Sequence, residues 1–519
     1  MALLLALALL VVWPPGTPAD ENTASLLAQA VEAHWKWDLD KAISLYSRLL
    51  ATDPTNVRAY LNRGVAYRSK GDDERALADF DRAVAKDPLL VDALYGRGLI
   101  YLQKRMYDKA AEDMTRVLDA DPTHSGARRV RGEAAVELHQ YDRAVEDLTE
   151  AIRLYPQDSE AYSFRALAYL GKKDNQKGLA DLAKTLELNP KNAGAYLKRA
   201  NLLFAEGKTK QALLDYDQAI KFDPNNAEAF NNRGWANVSA GDLQAAVGDL
   251  TRALELKPQF AQALSNRAWA YRKMEQNEEA LADYTRLLSL DAANPAVAIA
   301  RGQTLMALGR PAEAAKDFDR VLEKQPDEIA VVAMRAEARR KAGQQREAIQ
   351  DLDRLIQADP DAQAYADRGA TYEELKSYDA AARDYAESIK LASGTASAEM
   401  YYRLARAQLL DRKLDKAIET LNRVVEMQPR YGLAYANRGV AYKDKREYAK
   451  AVDDFRKALS LMDQPARKER VQALLQETEQ LFRESQPPPS FQSVTTDYPP
   501  QVTPTGPPTP EREPEQRMW

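Results

Sequence analysis

Proline stands at Pro54, Pro88, Pro122, Pro156, Pro190, Pro224 and Pro258, at a constant spacing of thirty-four. The beat skips once, at Ala292, and returns at Pro326 and Pro360. A fixed period of roughly 20–50 residues is the mark of a stacked array, in which one small unit cannot bury its apolar face alone. The 519 residues therefore do not argue for three globular domains. Contacts in such an array run between neighbours, and the chain is one extended object with a long surface to offer.

Placing each proline at position 32 of its repeat aligns the other columns. Position 8 is small: Gly64, Gly98, Gly132, Ala166, Ala200, Gly234, Ala268, Gly302, Ala336. Position 20 is alanine in most repeats, from Ala76 to Ala348, and position 24 is large and apolar, as in Phe80, Met114, Leu148 and Tyr216. Position 11 is often tyrosine, as in Tyr67, Tyr101, Tyr169 and Tyr271. Two helices cross closely only where both present a small side chain, and large residues then fill the space around the crossing. Proline ends the second helix because it lacks a backbone donor. The pattern resembles the tetratricopeptide repeat. That resemblance implies an all-α, right-handed superhelical solenoid of helix–turn–helix units.

Thirteen repeats fit between Thr23 and Pro465, more than four fifths of the chain. Repeat eleven starts one residue early, at Ala362, and repeat twelve follows an insert, Ala392 to Ser397. The insert is the expected place for a hinge or a break in curvature. Residues 466–484 read as a capping helix with Val471, Leu474, Leu475, Leu481 and Phe482 on one stripe, since an array must cover its last apolar face. From Ser485 to Trp519 ten of 35 residues are proline, a composition that cannot bury a core and is expected to be disordered, most simply a spacer.

Position 7 is arginine in eleven repeats, and position 23 is aspartate in the same eleven, from Arg63 and Asp79 to Arg438 and Asp454. The two repeats without the arginine also lack the aspartate: repeat one has Gln29 and Leu45, repeat twelve Leu404 and Thr420. Joint loss points to a pair that closes within one repeat. A neighbour-to-neighbour pairing would orphan Asp384 and Arg438, and a partly buried orphan charge costs about 3–5 kcal/mol.

Composition excludes several function classes. A net charge of −5 with 29% charged residues gives no basic excess for nucleic acid. There is no cysteine, hence no disulfide or thiolate metal site. His34, His124 and His139 are too scattered for a metal cluster. Gly207-Lys208-Thr209 ends like a phosphate-binding loop, but Leu202 stands where its first glycine belongs, and the tripeptide falls at a helix–helix turn. No carboxylate pair breaks the repeat pattern. The expectation is a chain that is no enzyme and carries no cofactor.

Ala2 to Val12 is an apolar run, too short for a bilayer core of about 30 Å. With a cut after Ala19 it reads as a secretory signal over residues 1–19, although no Lys or Arg precedes it. Export to the periplasm or outside the cell is the expectation. Left uncleaved, the run would pack on repeat one or hold the chain weakly at a membrane, and the chain would remain cytoplasmic.

A binding surface is better supported than a catalytic one. In the family it resembles, the concave wall is lined by helix A at positions 2, 5, 6, 9, 12 and 13, which share one helical face. In repeats six to eight those positions hold Asn201 and Phe204, then Asn231, Asn232 and Trp235, then Asn266, Trp269 and Arg272. An Asn amide offers both donor and acceptor to a peptide backbone, and Trp is a rigid anchor. The stretch is similar to a short form of the asparagine ladder in the repeat region of O-linked N-acetylglucosamine transferase, with Asn62 and Asn437 as isolated rungs. Another mode of the family, the carboxylate clamp, needs three basic groups around two asparagines. The nearest run here, Leu197, Asn201, Asn232, Gln262 and Asn266, has the asparagines and none of the basic groups. The expected partners are extended protein or peptide segments held by a scaffold. The alternative is a structural spacer or assembly factor of a cell-envelope complex, tethered by its tail.

Overall fold

The computed structural model describes residues 21–486. The signal-like segment 1–19 and, beyond Gln486, the proline-rich tail lie outside the described residues. The described residues form 27 α-helices: thirteen antiparallel pairs, termed A and B in each repeat, and a final helix Pro465–Ser485. The chain is an all-α solenoid of tandem helix pairs. Contacts divide it into two compact units between Asn266 and Arg267, inside helix A of repeat eight (Ala261–Lys273).

Repeat two shows the local logic. Helix A runs Val57–Ser69 and helix B Asp73–Lys86. Asn56 caps helix A, its side chain accepting from the Ala59 N–H at 3.0 Å, and so satisfies one of the orphan donors of a helix start. Gly64 is where the two helices meet. A Cβ there would lie 2.9 Å from the Phe80 ring and 3.3 Å from the Ala76 carbonyl, so positions 8, 20 and 24 are one packing contact read three ways. Burial of Ala76, Phe80, Ala83 and Leu94 continues the core into repeat three.

Every A–B turn contains one left-handed residue, always at position 15. Five are glycine (Gly71, Gly207, Gly241, Gly309, Gly343) and eight are not: Trp37, Arg105, His139, Lys173, Glu275, Lys376, Arg412 and Arg446. Gly207, with φ +77°, confirms that Gly207-Lys208-Thr209 is a turn.

All eleven Arg–Asp pairs close within their own repeat. In each, Nε and Nη2 of arginine donate to the two oxygens of aspartate at 2.5–3.0 Å. The aspartates are buried, and a two-point fork is the geometry that best repays their desolvation. The hydrogen bond to Asp113 raises the Arg97 guanidinium further above its ordinary range, against the opposing effect of burial.

The third arm of the guanidinium does something the spacing did not disclose. In eight of the repeats its Nη1 donates backwards, to position 25 of the preceding helix B. Arg63 reaches Ser47 at 2.9 Å, Arg97 reaches Asp81 at 2.7 Å, Arg131 reaches Thr115 at 3.2 Å and Arg165 reaches Thr149 at 3.1 Å. Arg233, Arg335, Arg368 and Arg438 reach Asp217, Asp319, Asp353 and Asn422. One side chain therefore joins both helices of its repeat and the repeat before.

The insert 392–397 lengthens a turn through Ser393 and Gly394, both at positive φ. The helices on either side still share a core, in which Ala381, Ala382 and Tyr385 pack with Leu404 and Ala407. The final helix buries Val471 and Leu475 against repeat thirteen. Leu474, Leu481 and Phe482 are half-buried.

Candidate functional site

The asparagines of repeats six to eight are not independent rungs. Asn266 Nδ2 donates to Asn231 Oδ1 at 3.1 Å. Asn231 Nδ2 donates to Asn232 Oδ1 at 2.9 Å, and Asn232 Nδ2 to Asn201 Oδ1 at 3.0 Å. The Tyr216 hydroxyl donates to the same Asn201 oxygen at 2.8 Å. Four amides on three successive A helices thus form one relay ending at a phenol. Each amide has two donors and one acceptor oxygen, and the direction of the chain fixes which way each one faces.

Position decides their burial. Asn231, at position 5, is 1% exposed and serves as the internal link. Asn201, Asn232 and Asn266 are half-buried. The relay saturates the Asn201 oxygen with two donors and leaves its Nδ2 without a partner among the described residues. Burial pushes the Tyr216 phenol well above its usual range, so it stays a donor at any physiological pH.

The sequence marks Tyr216 only as a core residue of position 24, and its part in the relay is not read from it. The signal was there: a hydroxyl in that column needs a partner, and Asn201 stands at position 9 of the same repeat, on the facing helix. Tyr385 shows the same logic, its hydroxyl donating to Glu373 Oε2 at 3.0 Å.

The other expected residues divide. Phe204 packs against the core cluster that holds Leu197, Ala200 and Tyr216, so much of its surface is used internally. Trp235 is half-buried. In the second unit, Trp269 is 37% exposed and the Lys273 ammonium lies 5.1 Å from its ring centroid. Arg272 donates to Gln303 Oε1 at 3.3 Å and stands by Tyr284, whose phenol is raised by burial against the effect of Arg272. Asn62 and Asn437 are buried, and Asn437 donates to the Tyr402 hydroxyl at 2.8 Å, which is a core bond.

Lys198 belongs to the same face and was missed. It lies at position 6 of repeat six, where repeats seven and eight have asparagine. It is half-buried, and burial lowers its ammonium below the usual range, with Glu137 and Glu228 opposing.

The histidines have local duties. His124 Nδ1 accepts from the Ala127 N–H at 3.0 Å as a helix cap. His139 lies 2.9 Å from the Tyr141 hydroxyl, and His34 is buried. Among the described residues no group of three or more His, Asp or Glu is placed to hold a metal. No described helix is long and apolar enough to cross a membrane.

No curated protein matches the chain. Among solved structures, a tetratricopeptide repeat protein from Parabacteroides merdae is 19% identical over 48% of this chain and 99% of its own, with a TM-score of 0.39. The pilF protein of Pseudomonas aeruginosa is 23% identical over 40% and 94%, with a TM-score of 0.37. The MamA protein is 25% identical over 34% and 95%, with a TM-score of 0.31. One tetratricopeptide repeat model matches residues 38–90, 74–125, 129–193, 265–329 and 333–398. Further models of the same repeat match 227–260 and 398–431, and 432–462, and a TPR repeat model matches 200–241. Together with the helix pairs, the packing columns and the eleven forks, these matches establish that the chain belongs to the tetratricopeptide repeat family.

Proposed function

We propose that the chain is a non-enzymatic scaffold that holds an extended polypeptide segment along the helix-A face of repeats six and seven. The observation that carries this reading is the amide relay. Its hydrogen bonds hold Asn201 and Asn232 in fixed orientation, so the remaining amide groups are preorganised to bond a peptide backbone at little entropic cost. Trp235 is the aromatic anchor beside them. In the second unit, Trp269 and Arg272 are candidates for a separate surface of the same kind.

Asn201→Asp tests the reading without breaking the relay, because aspartate keeps an oxygen for Asn232 and Tyr216 and loses the two N–H donors. Unstructured peptides from a random library would be titrated against the full chain and this variant. Loss of one or two backbone bonds lowers affinity about five- to thirtyfold. Peptides that bind both proteins equally, and that also tolerate Trp235→Ala, would sink the site and favour the alternative role of a structural spacer. We also propose that the chain is exported, on the strength of the run Ala2 to Val12. Mass measurement of the protein from its native source checks this: an N-terminus at Asp20 supports it and an intact Met1 opposes it.

A further inference from the structure

The first unit also holds a cleft that none of the relay asparagines lines. This cleft of about 350 Å³ opens between helix B of repeat six (Thr209–Phe222) and the two helices of repeat seven (Ala227–Ala240 and Leu243–Leu256). Its walls include Leu213, Asp217, Arg233, Asn237, Gly248 and Asp249. The volume is at the small end of ligand pockets.

Comparison with the other repeats explains why the cleft exists. In repeats two, three, five, eight, eleven and thirteen the residue at position 11 is tyrosine, and in the first five of these its ring centroid lies 5.7–6.0 Å from the guanidinium carbon of the fork arginine. In repeats two, three, five and thirteen a basic residue at position 19 also covers that ring: Arg75, Lys109, Lys177 and Lys450 at 4.8–5.5 Å. Repeat seven has lost both. Position 11 is Asn237, whose amide donates to Asp249 at 3.0 Å, and position 19 is Ala245. Position 22 is Gly248, where an added Cβ would meet nothing within 4 Å. The side chain of Arg233 is 24% exposed, against 14–18% for the six fork arginines whose repeat has the tyrosine; among repeats without it, Arg199 is 26% exposed and Arg131 16%, so it is the cleft beside Arg233 that sets repeat seven apart. Two of the other repeats without the tyrosine fill the place: in repeat nine Leu305 is buried, and in repeat ten Arg339 bonds Asp351 and Asp319 at 2.8 and 2.9 Å.

We propose that this cleft is a binding slot for an aromatic side chain, tyrosine above all, presented by a protein partner. The ring takes the place that belongs to the chain's own tyrosine in six other repeats. Its face lies on the Arg233 guanidinium, held flat by the fork to Asp249 and the bond to Asp217. A guanidinium fixed on two carboxylates costs no side-chain ordering when a ring stacks on it, which favours the contact. The open space over Gly248 is the entrance. This proposal does not rest on the asparagine relay, and the two sites can fail separately.

The slot can be tested with p-cresol, the side chain of tyrosine, by saturation-transfer NMR on the full chain. Asn237→Tyr restores the repeat's own ring and should fill the slot from within. Gly248→Phe fills it from the other wall, at a helix position where removing glycine does not weaken the helix. The expected result is a p-cresol signal that falls about two- to fivefold in each variant, the size of a single cation–π contact, with helicity unchanged. 4-Methylcyclohexanol, of similar shape but without π electrons, should give a weaker signal than p-cresol with the unaltered protein. Equal p-cresol signals from the unaltered chain and both variants would overturn the proposal, and so would equal signals from the two ligands.

Discussion

Repeats eleven and twelve are neighbours with small residues at their helix crossing, Gly369 and Ala381 in one, Ala405 and Ala417 in the other. They close the junction differently. In repeat eleven, Arg368 forks onto Asp384 at 2.7–2.8 Å and reaches back to Asp353 at 2.6 Å. In repeat twelve, Leu404 is buried in the apolar cluster of the preceding helix B, and Thr420 donates to Gln408 at 2.9 Å. The hairpin therefore does not need an ion pair. What it cannot accept is half of one, which is why both residues are absent together.

The largest expected effect comes from leaving that half. Asp384→Ala takes the forked carboxylate from Arg368 and leaves it only the bond to the exposed Asp353, and should cost about 3 kcal/mol, read as reduced hydrogen-exchange protection in helices Ala362–Glu374 and Tyr378–Leu391. A cost below about 1 kcal/mol, within the range of exposed pairs, would break the comparison. Next is Leu404→Arg, which should cost about 3 kcal/mol alone, most of it recovered when Thr420→Asp supplies the partner. No recovery in the double variant would show that repeat twelve has diverged beyond these two positions.

A carboxylate with a poorer partner sharpens the point. Glu133 faces Arg129 at 3.4 Å, but Arg129 also holds Asp158 and Glu160. Burial pushes the Glu133 carboxyl up to about 7, Arg129 opposing. Its folded value is above the unfolded one, so the stability it contributes is complete below about pH 4.5 and is lost as pH rises through 7. Glu133→Gln should match the unaltered chain at pH 5 and exceed it at pH 8 by about 2 kcal/mol. Urea midpoints at the two pH values check this, and a difference that shrinks as pH rises would contradict it. The smallest effect is expected from Arg368→Leu with Asp384→Thr, which gives repeat eleven the residues of repeat twelve. The loss should be about 1 kcal/mol or less, with the bond to Asp353 gone.

The parts legible in the sequence are those that one repeat settles by itself. Positions 8, 20 and 24 meet within a hairpin of fixed geometry, and so do Arg63 and Asp79. Even the skipped proline changes nothing: helix B of repeat eight ends at Leu290, and Pro295 opens the next helix. The contacts between repeats were harder to read. The backward arm of the arginine accepts serine, threonine, asparagine or aspartate at position 25, so no single residue type marks the column. The turn residue at position 15 is left-handed in every repeat, yet Trp37 and Arg105 carry no sign of it. The relay joins Asn201 to Asn232 and Asn231 to Asn266, 31 and 35 residues apart, and which amides meet depends on how one helix A leans on the next.

The backward arm also has a consequence in time. A ribosome delivers the chain from the N-terminus at about 5–20 residues per second, so each position-7 arginine emerges about 1–3 s before its own aspartate. When Arg97 appears, Asp81 is already in place and Asp113 has yet to be made. The arginine's first partner is the finished repeat behind it, and the carboxylate it forks onto arrives second. The array is therefore wired for growth from one end. In repeats that make the backward bond, as eight do, the new helix A can be held on the repeat already built while its own helix B is still being synthesised.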